Sequence, residues 1–137
     1  MSFGRIFLIL LALVLVLGFF GYRWAAKIEP TTMTAADLEK GGTFSEDEKS
    51  AFTAACATRI KKDTDKVCGC LADKAASEFS RFERLAMTAS FEVSPAKMVA
   101  IVKGLADAGV PKDKLEAVRD GSKERINGLM KSCGSTE

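Results

Sequence analysis

Residues 45–71, Ser45-Glu-Asp-Glu-Lys-Ser-Ala-Phe-Thr-Ala-Ala-Cys56-Ala-Thr-Arg-Ile-Lys-Lys-Asp-Thr-Asp-Lys-Val-Cys68-Gly-Cys70-Leu71, decide how the rest of the chain is read. Ser45 followed by Glu48 is a capping box, and three acids in the first turn complement the helix dipole. Phe52, Cys56 and Ile60 then recur at i, i+4 and i+8 on one face, so a helix starts after Ser45. Lys61 and Lys62 suit its end, and Asp65 can cap a second helix. The apolar stripe of that second helix runs through Cys68, Leu71, Ala75, Phe79, Phe82 and Ala86 to about Ala89. Ser80-Arg-Phe-Glu83 offers a rival capping box, which marks a break or kink near Ser80.

Downstream the helical pattern continues. Ser94 and Pro95 supply an N-cap and an N1 proline, with Val93 placed to staple Met98. Met98, Ile101, Val102 and Leu105 make the apolar face of that helix, and Gly109 ends it. A last helix begins at Pro111 or after Asp113 and carries Leu115, Val118, Ile126, Leu129 and Cys133, with Gly134 after it. Nothing in residues 45–137 alternates like a strand. The expectation is an all-α domain over 45–134, a small bundle of about four helices, with a frayed tail at 135–137.

Upstream, 20 of the first 26 residues are hydrophobic, against 47% across the chain. Ile6 to Phe20 contains no charge, and Ile6 to Tyr22 spans roughly 25 Å as a helix. Arg5 and Arg23 can snorkel from its ends, while Tyr22 and Trp24 fall at the level of an aromatic belt. Signal-peptide cleavage needs small residues at −3 and −1, and Phe19, Arg23 and Trp24 fit badly. Residues 1–26 are therefore read as a retained transmembrane signal anchor in contact with the lipid bilayer. The short stub before a long following domain puts the N-terminus in the cytoplasm and the domain outside. Residues 27–44 read as a linker spacing that domain from the membrane. The capping box Thr34-Ala-Ala-Asp37, flanked by Met33 and Leu38, starts a short helix that Gly41-Gly42 ends.

Cys56, Cys68, Cys70 and Cys133 all follow the anchor. In an exported domain of this size an even set reads as two disulfides, which offset a lean core. Cys68 and Cys70 point about 200° apart on a helix and should not pair with each other. A hairpin centred on Asp63 narrowly favours Cys56–Cys70 with Cys68–Cys133 over Cys56–Cys68 with Cys70–Cys133. The alternatives to structural staples are a soft copper(I) or zinc site and a Cys-x-Cys redox centre. Both lack support: Cys56 and Cys133 stand alone instead of in Cys-x-x-Cys pairs, and no βαβ pattern surrounds the motif.

Several function classes are excluded by composition. There is no histidine, which removes His-assisted Ser or Cys catalysis, His-ligated zinc and c-type haem. Lys61-Lys62 is a lone basic doublet flanked by Asp63 and Asp65, so no nucleic-acid surface is expected. Asp107, Glu116, Asp120 and Glu124 read as solvated charges, and Gly41-Gly42 lacks the context of a phosphate loop. No small-molecule substrate and no cofactor is evident. The anchor carries no internal polar residue for ion transport, and Gly18 and Gly21 do not make GxxxG. Phe91 and Val93 lie between expected helices, where they cap the bundle end or contact a partner. After Lys27 there are 17 basic and 18 acidic residues, so the net charge of +2 belongs to the flanks of the anchor.

The set Phe52, Cys56, Cys68-Gly-Cys70, Leu71 and Cys133, behind a signal anchor, resembles a loose group of small bacterial envelope proteins. The resemblance covers residues 50–134 and rests on cysteine spacing. It implies a single-pass inner-membrane protein with a disulfide-stapled periplasmic domain, and assigns no activity and no functional residue. The expected role is a non-catalytic accessory or assembly subunit of a larger inner-membrane complex. The alternative is a periplasmic copper or zinc carrier, or a thiol-redox protein, using the four cysteines.

Overall fold

A computed structural model describes residues 3–92 and 94–134. Val93, with its expected staple to Met98, and the tail 135–137 lie outside the described residues. The described residues form six α-helices and no strand. These are α1 (Phe3–Ala26), α2 (Glu46–Arg59), α3 (Thr64–Glu78), α4 (Arg81–Glu92), α5 (Pro95–Asp107) and α6 (Lys112–Ser132). A single 3-10 turn, Ala35–Leu38, precedes α2.

The 24 residues of α1 are about 36 Å long, enough to cross a bilayer core of ~30 Å. None of its residues is buried against the rest of the chain. Arg23 is in its last turn and lies over the Phe19 ring at 5.7 Å.

The caps read in the sequence organise the domain. The Ser45 hydroxyl accepts from the Glu48 amide at 3.2 Å, and the Ser94 hydroxyl accepts from the Lys97 amide at 3.4 Å behind Pro95. At the disputed position the second capping serine prevails. Ser80 Oγ accepts from the Glu83 amide, Phe79 adopts an extended backbone, and the expected long helix divides into α3 and α4. The domain therefore holds five helices after α1 where about four were expected. Asp63 takes a left-handed conformation, φ 50°, which Asp tolerates better than most residues, and turns the chain tightly from α2 into α3.

Two apolar clusters share α4. The larger packs Phe52 and Cys56 of α2, Cys68, Leu71 and Ala75 of α3, Met87 of α4, and Leu129 near the end of α6. The smaller packs Phe82 and Ala89 of α4 with Ile101 and Leu105 of α5, and with Met33 and Leu38 from the segment before α2.

That last contact corrects the spacer reading of residues 27–44. Met33 and Leu38 flank the Thr34–Asp37 capping box as expected, but both are buried in the domain core. Arg81 of α4 fixes the segment from the other side. Its Nη1 donates to the Thr32 carbonyl at 2.6 Å and reaches Asp37, while its Nε donates to Glu48 at 3.0 Å. Closer to α1, the Thr31 amide donates to the Ala100 carbonyl, and Lys103 Nζ donates to the carbonyls of Ala25 and Ile28. Lys103 thus supplies a charged donor where the C-terminal end of α1 leaves acceptors. The domain is attached to the end of α1 through α5 instead of hanging from a free tether.

Gly104 makes this attachment possible. A Cβ there would overlap the Thr31 carbonyl and lie 2.9 Å from Met33 Cγ. Gly104→Ala should cost about 1–3 kcal/mol through forced displacement. It should also speed tryptic cleavage at Lys40, while the α-helical signal of the domain persists. Unchanged melting and unchanged cleavage would show that residues 31–33 do not rest on α5.

Candidate functional site

The four sulfurs form two disulfides, Cys56–Cys68 and Cys70–Cys133, with Cα separations of 5.8 and 5.7 Å. This corrects the expected pairing of Cys56 with Cys70 and Cys68 with Cys133. The reason is helical phase. Cys56 and Cys68 both point into the larger cluster and are fully buried, so they meet across the α2–α3 hairpin. Cys70, rotated by two residues, is half-buried at the margin, where Cys133 arrives at the end of α6. All four sulfurs are engaged in these two bonds.

Two arginines that the sequence reading missed meet at the α3–α4 break. Arg84 is 1% exposed. Its Nη1 donates to the carbonyls of Phe79 (2.7 Å) and Gly41 (3.3 Å), its Nη2 to the carbonyl of Thr43 (3.1 Å), and its guanidinium lies 4.9 Å from the Phe44 ring. Burial lowers its pKa, with Glu48 acting in the opposite direction. Arg84 therefore closes the chain from Gly41 to Phe44 onto the α3–α4 break. No sequence signal marks it, because its partners are backbone carbonyls, two of them some forty residues away.

Arg125 does the equivalent for α6. It pairs with Glu83, donates to the Glu78 carbonyl at 3.1 Å and stacks over Phe79 at 4.8 Å. Glu83 is almost fully buried, and desolvation raises its pKa even though Arg125 pulls it down. A carboxyl whose folded pKa exceeds its unfolded value favours folding when protonated. That contribution is present below the ordinary carboxylate pKa and is lost as pH rises through the raised value. Denaturant titrations should show the Glu83 contribution diminishing from about pH 4.5 upward, and Glu83→Gln should remove that slope. A Gln variant with the same pH dependence as the parent would rule out this assignment.

With α6 held mainly by Leu129, Arg125 and the Cys70–Cys133 bond, the first half of the helix leaves a cleft between itself, α4 and α5. The cleft has a volume of about 540 Å³. Phe82, Met87 and Ile101 line it, with Leu115 and Ile126 on the α6 side. Met98 and Val102, expected to be core residues of α5, instead lie 39% and 51% exposed along it. Only Ile101 and Leu105 of that expected stripe are buried in the core, because α6 approaches too loosely to cover the other two.

The remaining sequence-derived positions divide between surface and core. Tyr22, Arg23 and Trp24 are exposed in the last turns of α1, and Arg5 is exposed in its first turn. Phe91 belongs to the last turn of α4 instead of a loop. It packs edge-to-face on Phe52 at 5.8 Å, and its carbonyl accepts from Thr58 Oγ1 and Arg59 Nε. That is the bundle-capping position, although the ring also borders the cleft. Among the described residues no group of three or more Cys, Asp or Glu is arranged to hold a metal ion. Comparison of the chain with protein-family models, with curated proteins and with solved structures finds no match.

Proposed function

We propose that this chain is a membrane-anchored, non-catalytic accessory or assembly subunit of a larger inner-membrane complex, with its stapled domain on the periplasmic side. The observation that carries the reading is the contrast within α1. None of its residues is buried, yet its end is tied to the domain by Lys103 and by the Thr31–Ala100 bond. A helix so attached presents its apolar sides to lipid or to other membrane helices, and holds the domain at a fixed place beside them. Two disulfides suit an oxidising compartment.

Mild detergent extraction of native membranes, followed by size separation and mass spectrometry of co-migrating proteins, tests the proposal. The chain should migrate in an assembly with other integral membrane proteins. Recovery as a free monomer under conditions that preserve other complexes would remove it.

A further inference from the structure

The cleft between α4, α5 and α6 has no role in the attachment of the domain or in its staples. Its volume of about 540 Å³ falls in the range of small-molecule clefts, roughly 300–1,000 Å³. Its floor is apolar, and Met98 and Val102 leave one edge open to solvent. Three ionisable residues border it. Glu83 is already engaged by Arg125, while Arg119 and Lys123 stand one helical turn apart on α6, both exposed. Arg119 Nε donates to Asp120, which is not itself part of the cleft lining. The lining therefore combines a greasy interior with a positive rim.

The opposite side of α5 is fixed to the end of α1. Lys103, next to Val102 in sequence, reaches the Ala25 carbonyl in the last turn of α1. The cleft thus lies about one helix diameter, on the order of 10 Å, from the end of the membrane-length helix.

We propose that this cleft takes an acyl chain of an anionic phospholipid from the membrane in which α1 resides, with the lipid headgroup against Arg119 and Lys123. The apolar floor replaces the surroundings of the chain in the bilayer, and the basic rim supplies the charge complement to a phosphate. Met87 and Met98 adapt to a flexible occupant better than branched residues do. The proposal rests on the reading of α1 as a membrane anchor.

The test uses the full chain in nanodiscs of phosphatidylcholine doped with phosphatidylglycerol bearing a photoactivatable acyl chain. Cross-linked residues are mapped by mass spectrometry. Labelling is expected on α1 and, separately, on α5 and α6 residues lining the cleft. Val102→Asp, at an exposed position, should reduce cleft labelling several-fold and leave α1 labelling unchanged. Arg119→Glu with Lys123→Glu should do the same, and so should moving the photoactivatable chain to phosphatidylcholine. Labelling of α1 with none in the cleft would overturn the cleft proposal and leave the anchor standing. No labelling of either would overturn both. Equal cleft labelling by the two lipids would overturn the assignment to an anionic lipid, and cross-links between two copies at the cleft would assign it to self-association instead.

Discussion

Replacing Cys70 and Cys133 together by serine should lower domain stability by about 4 kcal/mol, which corresponds to a fall in melting temperature on the order of 20 °C. The bond spans 63 residues, so its loss restores a large loop entropy to the unfolded chain. The local consequence is as distinctive as the global one. Leu129 is the only fully buried residue of α6, and Arg125 provides its main polar tie to the α3–α4 break. Without the covalent link, amide exchange should accelerate first in α6, before α2 and α3 lose protection. Cys56 and Cys68, only 12 residues apart, close a shorter loop, and their loss should cost less, about 3 kcal/mol. Uniform loss of protection across the domain, or a larger cost for the shorter loop, would contradict this account of how α6 is held.

Arg84→Met should be nearly as damaging, despite comparable length and an apolar replacement. Methionine fills part of the space but removes the donors of the partly buried Gly41 and Thr43 carbonyls and one of the two donors of the buried Phe79 carbonyl, which keeps the Gly41 amide, at roughly 1–3 kcal/mol for an acceptor left unpaired. Relaxation and water entry offset part of that, and a net loss of about 3 kcal/mol is expected by chemical denaturation. Arg84→Lys should recover only a minor share, since a single ammonium cannot reproduce a planar fork that meets several acceptors and stacks on Phe44. A lysine variant as stable as the parent would show that charge, and not the geometry of the guanidinium, closes residues 41–44 onto the domain.

These two sites also mark where sequence reasoning succeeded and where it lacked information. The membrane-length helix was legible because uncharged length has one physical reading, and α2 and α5 were legible because Ser45 and Ser94 cap them. Ser80 was visible as a rival cap, but only packing decides whether a helix continues through such a residue. The cysteine pairing failed on phase. Equal distance from Asp63 suggested Cys56–Cys70, whereas the inward positions of Cys56 and Cys68 control which sulfurs meet. The stripe on α5 predicts four buried residues, although a helix shows its own apolar face and not how closely its neighbour approaches. Met98 and Val102 remain open for that reason, and the cleft exists because of it. Arg84 and Lys103 left no trace, since both serve backbone carbonyls, which every residue possesses.

Attachment of the domain to α1 also changes the sense of residues 27–44. A free spacer would make the position of the domain above a bilayer indifferent to sequence. With Met33 and Leu38 buried, Gly104 against Thr31, and Lys103 on the carbonyls of Ala25 and Ile28, a movement of α1 is conveyed directly to α5. In the accessory role proposed above, such a coupling would let contacts made by α1 orient the domain.

The central claim is a retained anchor joined to a domain that is oxidised at all four cysteines. Its most direct test is the intact mass of the chain extracted from native membranes into a thiol-alkylating reagent without reductant. The account predicts a species that retains Phe3–Ala26 and carries no alkyl adduct until reduction, after which it gains four. A species cleaved near Ala26, or one alkylated at its cysteines before reduction, would contradict it.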